Sequence, residues 1–258
     1  MEPKNKAMIR IDERRKRMKD LNSHCINQKE IFHVHTWRCG HAGEEREEAY
    51  VKKAIQLGAK SITFTDHAPF PGDPFRSRMK MEQLADYKNT IWNLKEKYGE
   101  KIHVQIGLEI EYLPGYRTYY ETLKEDKQIE FLMIGQHFYE IEPGSYSFSA
   151  KSDAKKADGI IQAEIEGVES GLFSCVAHPD RGYRYAKNIA DVDHSLAKVL
   201  IDTAKEHHVL LEKNVSSMER NCFYPDEFWK FSHENYLVGV DAHSVEEMER
   251  RYRYAAFV

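Results

Sequence analysis

The chain has 258 residues, of which 41% are hydrophobic and 31% charged, and a formal net charge of −4 at pH 7. That length fits one large domain, and no apolar stretch approaches the roughly 20 residues needed to cross a bilayer, so a membrane-spanning protein is not expected. The slight acidity offers no general attraction to nucleic acid, and the charged N-terminal sequence lacks the apolar centre of a signal peptide, which predicts a soluble cytoplasmic protein.

Residues 1–29 read as a basic N-terminal extension, helical, whose Lys/Arg run from Lys4 to Lys19 is a solvated face more than a nucleic-acid arm. From there, seven short apolar runs alternate with helical patterns. The strand candidates are Ile31 to His35, Ser61 to Thr65, Ile102 to Glu109, Phe131 to Gly135, Phe173 to Ala177, Val209 to Glu212 and Leu237 to Val240. This is the pattern of βα units around a parallel sheet, hence an α/β fold. After the first strand, "EEREEAYVKKAIQLGAK" places Val51, Ala54 and Ile55 on one helix face, with acidic residues in the first turn and Gly58 as the stop. The segment "YEIEPGSYSFSA" is the most loop-like insertion, either a lid or a plain surface loop. Ile161, Ile165 and Val168 mark a helix ending near Gly171. Leu196, Val199, Leu200, Thr203 and Ala204 mark another, with His207 and His208 near its C-terminus, where the helix dipole favours positive charge without any metal. The tail "VEEMERRYRYAAFV" allows one last helix.

In a β/α barrel the C-terminal strand ends converge on one face. Six of the seven proposed strands end in metal-capable side chains, in "HVHT", "TDH", "GLEIEY", "GQH", "AHPD" and "VDAHS". His33 and His35 are two apart, so strand alternation sends both to the same side. Alone, H-x-H is more often a pair of surface imidazoles, and Glu109 alone more often a salt-bridge partner. Concentration at one barrel face is what scattered polar residues do not produce. The candidate donors are His33, His35, His41, His67, Glu109, His137, His178, Asp241 and His243. Imidazole with carboxylate suits zinc, iron or manganese more than calcium or magnesium, and this many donors exceed the four to six that saturate one ion, implying two or three divalent ions.

The remaining polar residues read more quietly. Cys25, Cys39, Cys175 and Cys222 lack a C-x-x-C spacing and read as reduced thiols. Asp66 could orient His67 as its hydrogen-bond acceptor, or serve as an ordinary capping aspartate. His24, His103, His194 and His233 stand at no C-terminal strand end. Trp37 and the aromatics after the fourth strand read as core or rim packing before substrate contacts. No G-x-S-x-G or P-loop suggests a protein nucleophile or a nucleotide cradle.

The order H-x-H, the His of "CGHA", D-H, the Glu of "GLEIEY", the His of "GQH", the His of "AHPD" and D-A-H resembles the polymerase and histidinol phosphatase (PHP) superfamily, from about Ile31 to the end. Within it, "HVHTWRCGHA", "FTDHAPFPG" and "IGQHF" are most similar to the histidinol-phosphatase branch. The resemblance implies a distorted (β/α)7 TIM-like barrel of the PHP type over residues 30–258. It implies three metal ions: His33, His35 and Asp241 on one, His137 and His178 on a second, His41, His67 and His243 on a third, with Glu109 bridging the first two. The implied reaction is hydrolysis of a phosphate monoester, L-histidinol phosphate giving L-histidinol and phosphate, with a metal-bridging water as nucleophile. Similar enzymes carry a phosphate-binding arginine six residues after the histidine matched by His178; that is Arg184, with Arg181 as the fallback. A second arginine sometimes found after strand six is not matched, because "LLEKNVSSMERN" has Ser216 there and Arg220 farther along. The expected partner is a small phosphorylated molecule. The alternatives are a PHP-type phosphoesterase acting on nucleotides or nucleic-acid ends and a metal-binding scaffold without catalysis, the complete donor set speaking against the scaffold.

Overall fold

The computed structural model describes residues 29–149, 154–185, 192–219, 228 and 236–255. The expected N-terminal extension therefore lies outside the described residues except for Lys29, as do His24, Cys25, Arg220, Cys222 and His233.

Alternating apolar residues build seven parallel strands: β1 (Glu30–Val34), β2 (Ser61–His67), β3 (His103–Ile110), β4 (Phe131–Ile134), β7 (Cys175–Val176), β8 (Leu210–Asn214) and β9 (Tyr236–Gly239). Between β4 and β7 comes a hairpin of β5 (Glu140–Glu142) and β6 (Ser145–Tyr146). The large sheet runs β1-β2-β3-β4-β7-β8-β9. Its outer strands meet through a parallel bridge between Val34 and Ala242, with the His35 amide donating to the Ala242 carbonyl at 2.9 Å. The barrel is thus nearly closed, which leaves little free sheet edge.

Two apolar clusters follow from the alternation. Ile62, Phe64, Val104, Ile106, Leu108 and Ile110 face the helices, while Phe32, Phe131, Met133, Cys175, Ala177, Leu210 and Leu237 form a separate cluster on the inward face of the strands. Glu109 follows the period of inward-facing residues one step farther along β3, as Glu212 and Asn214 do along β8.

Strand β1 breaks this rule in a way the sequence does not announce. Phe32 joins the inner cluster, yet Val34 joins the outer one with Ile31. The register runs Ile31 opposite Ile62, then Val34 opposite Phe64, so β1 carries one extra residue, and His33 takes φ 70°. A bulge with a left-handed residue re-aims the side chains that follow it. Simple alternation would have sent both imidazoles outward once Phe32 pointed in; the bulge turns both toward the barrel mouth.

The helices are α1 (Glu47–Gln56), α2 (Leu84–Tyr98), α3 (Arg117–Glu125), α4 (Ala154–Glu169), α5 (His194–Glu206), α6 (Val215–Glu219) and α7 (Val245–Ala255). α1 buries Val51 and Ala54 as its pattern predicts, and Tyr50 with them, while Ile55 is half-buried. α5 buries Ala197, Leu200, Ile201 and Ala204, whereas Val199 is 45% exposed, so its packed face is rotated from the expected one. The insertion after β4 is an ordered hairpin: Phe138 and Tyr146 pack on Phe75 of the β2–α2 loop, with ring centroids 4.8 and 5.0 Å away. The tail forms α7, which packs on α1, α6 and β1 of its own barrel. No described helix is long and apolar enough to cross a membrane.

Candidate metal centre

The nine candidate donors gather at the C-terminal ends of the strands. Ligand atoms lie within 4.8 Å of one another in the groups His33, His35, Asp241 and Glu109, His137, His178. The group expected from His41, His67 and His243 is arranged differently. His67 and His243 group with His35, and His41 groups with His243 and Cys39. The Cys39 thiol, read as a bystander, is therefore buried within the cluster, and burial pushes it up to about 12.

The local chemistry fits a cation. His33 Nδ1 donates to Glu212 Oε1 at 2.6 Å, so Nε2 is the nitrogen that can offer a lone pair once its proton is displaced. That atom faces His35 Nε2 at 3.0 Å, and Glu109 Oε2 stands 3.3 Å from both. Asp241 Oδ1 is 3.5 Å from His35 Nε2, while Glu109 Oε1 lies 2.9 Å from His178 Nε2. Two ring nitrogens and a carboxylate oxygen this close need a positive charge shared among them, from ring protons without metal and from an ion once one binds. Donors about 2.1 Å from a common zinc-like ion sit roughly 3.0–3.4 Å apart, so these spacings match joint ligation.

The titration of the groups agrees. Burial opposes ionisation of Glu109 and Asp241, yet the surrounding imidazoles, His67 and His33 around Glu109 and His33 and His35 around Asp241, hold both carboxyls well below the usual range. Burial, then the charge of Arg181, lowers His137 to about 4; burial, then His35, lowers His243 to about 2. Burial likewise lowers His41, His67 and His178. Neutral imidazoles of this kind keep the lone pair a metal requires. His33 and His35 go the other way: burial pulls them down, but the carboxylates around them outweigh it.

Several residues that hold the donors were not singled out in the sequence. Glu212 accepts from His33, from the His178 amide at 2.8 Å and from Asn214 Nδ2 at 3.1 Å, and Asn214 also donates to Asp241 at 3.2 Å. The signal was present, since the sixth proposed strand ends on Glu212. Glu111, two residues beyond Glu109 on the same side of the chain, accepts from His137 Nδ1 at 2.9 Å and pairs with Arg78. Arg251 of α7, 1% exposed, donates to the Val240 and Asp241 carbonyls. Asp66 does sit beside the cluster, but it faces a different ring from the one expected. Its Oδ1 accepts the backbone amide of His67 and lies 3.6 Å from His35 Nδ1, and its Oδ2 accepts from Thr36 Oγ1. Three donors, His33, His178 and Asp241, have positive φ (70°, 32° and 46°), a conformation that L residues adopt only when their surroundings enforce it.

Both candidate phosphate arginines lie in the short helical turn Arg181–Tyr185 after β7. Arg184 donates to Ser217 Oγ in α6, one residue beyond Ser216, where the unmatched arginine was sought. Arg181 keeps its Nε buried without a hydrogen-bond partner among the described residues, and its charge is felt by His137 and His178. His103 is exposed at the opposite end of β3, and His194 opens α5, where Tyr183 meets its Nδ1 at 3.2 Å.

Comparison with known proteins places this arrangement. The PHP domain family matches residues 32–216. A protein of Deinococcus radiodurans named probable histidinol-phosphatase is 26% identical over 239 residues, spanning 85% of this chain and 88% of that protein. The histidinol-phosphatase of Bacillus subtilis is 35% identical over 164 residues, 58% of this chain and 60% of that one. Among solved structures, histidinol phosphate phosphatase from Lactococcus lactis, complexed with zinc, L-histidinol and phosphate, superposes with a TM-score of 0.67 at 19% identity, covering 90% of this chain and 95% of its own. At that identity the likeness concerns the fold.

Proposed function

The chain belongs to the PHP domain family, and from that membership we propose that it is a metal-dependent phosphomonoesterase that converts L-histidinol phosphate and water to L-histidinol and phosphate. The observation that carries the reading is the convergence of His33 Nε2, His35 Nε2 and Glu109 Oε2, two ring nitrogens and a carboxylate oxygen within 3.3 Å of one another. The names of the curated relatives support the substrate. Residues 30–258 would form the phosphoesterase domain.

In this reading His33, His35 and Asp241 would hold one divalent ion, His137 and His178 a second, and His67, His243 and His41 a third, with Glu109 available to the first two. Zinc, iron and manganese all suit these donors. Bound ions lower the pKa of an attacking water and offset the charge of a phosphate dianion. The protein's own groups do the rest. Glu109, ionised despite burial, divides its two oxygens between the His178 side and the His33, His35 and His67 side. Arg181, with an uncommitted Nε near His137 and His178, is placed to take a phosphate oxygen, and Arg184 is tethered to Ser217, whose amide donates to Asn214.

The test is phosphate release by purified protein of measured metal content, from L-histidinol phosphate beside nucleotides, phosphodiesters and a chelator-treated control. Rapid, selective, chelator-sensitive release from L-histidinol phosphate is expected, and a His33→Ala/His35→Ala variant should lack it. Turnover of a nucleotide or diester with L-histidinol phosphate inert would transfer the site to a different phosphoesterase. A metal-loaded protein inert to all of them would be a scaffold.

A further inference from the structure

Of the donors, His137 is held by an arrangement that reaches into a different loop. Its Nδ1–H is shared between the Gly135 carbonyl at 2.8 Å and Glu111 Oε1 at 2.9 Å. Both partners only accept, so the proton resides on Nδ1 and Nε2 carries the lone pair. Glu111 is itself 1% exposed, and such a carboxylate needs a counter-charge. Arg78, from the loop that follows β2, supplies it as a two-pronged contact: Nε donates to Oε2 at 3.2 Å and Nη2 donates to Oε1. The third nitrogen of Arg78 donates to the Ser77 carbonyl at 2.9 Å, which the left-handed Ser77 (φ 57°) folds back toward it. The guanidinium is therefore committed to holding Glu111, with a side chain only 8% exposed.

We propose that Arg78 and Glu111 are positioning residues which fix the His137 ring as an Nε2 donor, so that the loop after β2 governs ion affinity at the Glu109, His137, His178 group. The inference rests on the reading of His137 as a metal ligand. Acceptors that orient a ligating imidazole are worth about 10–100-fold in metal affinity. Arg78 acts one bond farther out, so its removal should cost about the lower figure.

The experiment measures zinc bound per chain, without substrate, during titration against a competing chelator. It compares the unaltered protein with H137A, E111A, E111Q and R78A, each checked for folding by circular dichroism. H137A should lose one equivalent of tightly held zinc, and E111A should lose the same one. E111Q should keep it, held no more weakly than in R78A, because the amide oxygen can stand where Oε1 accepts from Nδ1 while the NH2 takes the place facing Arg78 Nε. R78A should hold that equivalent about tenfold more weakly. If H137A keeps its full complement, the ligand reading of His137 fails. If H137A loses an equivalent while E111A and R78A bind as the unaltered protein does, the ligand reading stands and the positioning role is overturned. E111Q losing zinc as E111A does would also overturn it, since the bond to Nδ1 would then not be what matters. Should E111A fail to fold, R78A and E111Q still decide the matter, because neither leaves His137 without an acceptor of the right size.

Discussion

His33 Nδ1 lies 2.6 Å from Glu212 Oε1, and both side chains are fully buried. Both oxygens of this carboxylate are engaged, the second by the His178 amide and by Asn214. Glu212 thus faces donors on every side and touches elements that carry three of the candidate ligands, since Asn214 continues to Asp241.

A Glu212→Gln substitution preserves the shape and removes one acceptor. Whichever way the amide turns, its NH2 meets a donor, either the His33 ring or the His178 amide. The expected result is a 10–100-fold fall in zinc affinity and in kcat/KM with the fold retained. Equilibrium zinc titration and steady-state kinetics on the same preparation measure it. A variant with unchanged zinc affinity would remove Glu212 from the site.

Two glycines make room for the buried carboxylates. A Cβ on Gly239 would stand 1.6 Å from Glu212 Oε1, and one on Gly135 would stand 2.1 Å from Glu109 Oε1. Gly239→Ala and Gly135→Ala should each displace a carboxylate, lower stability by about 1–3 kcal/mol and abolish most phosphatase activity. Gly115→Ala, where a Cβ meets nothing within 4 Å, is the control and should change stability by less than about 0.5 kcal/mol. Denaturant midpoints and turnover across the three variants decide the point. Equal behaviour of all three would contradict it.

Metal-free protein should release protons as it takes up zinc. Burial pulls His35 down, but the carboxylates of Asp241 and Asp66 beside it outweigh this and lift the ring from 6.5 to about 9. In the metal-free state the stability gained through this raised group is fully present below pH 6.5 and is lost as pH rises through about 9. At pH 7.5 the ring is protonated, and ligation must expel that proton. Apparent zinc affinity should therefore climb with pH up to about 9, whereas His137, near 4, and His243, near 2, add no dependence in that range. Calorimetry in two buffers of different ionisation heat counts the protons. Zinc uptake with none released at pH 7.5 would contradict the assignment of His35.

The chain order of strand ends made the candidate donors legible, because "TDH", "GLEIEY", "GQH" and "VDAHS" each follow a readable apolar run. What the sequence concealed was three-dimensional. The bulge at His33 depends on pairing with β2, and no local residue signals it. Asp66 looked coupled to the adjacent His67, yet its carboxylate approaches the ring of His35 across the loop. Cys39 was set aside because thiolate sites are recognised by paired spacing, whereas here a single thiol is brought beside His41 and His243 by tertiary folding. Val199 fitted the helical period, but that period leaves the centre of the buried face open by one position, and packing chose Ala197 and Ile201 instead.

Arg251 extends the site to the C-terminal helix. Its side chain is 1% exposed and donates to the carbonyls of Val240 and Asp241, to Glu219 Oε2 at 3.0 Å and to Glu247 Oε1 at 3.0 Å. Glu247 in turn accepts from the His243 amide at 2.9 Å. One guanidinium thereby ties α7 and α6 to the backbone that bears Asp241 and His243, and helps hold Asp241 at φ 46°. Arg251→Met keeps much of the volume but strands the two carbonyls. Removing one partner of a buried pair costs about 3–5 kcal/mol, and Glu219 and Glu247 are about a quarter exposed, so water offsets part of that loss. A decrease of about 2–3 kcal/mol in unfolding free energy is expected, with weaker zinc binding at the ion that Asp241 is proposed to hold. Excess zinc should recover part of the lost stability, because a ligand that binds only the folded state shifts the balance toward it. Denaturant unfolding with and without added zinc tests both parts. A variant that is destabilised yet binds zinc with unaltered affinity would confine Arg251 to packing and detach it from the metal centre.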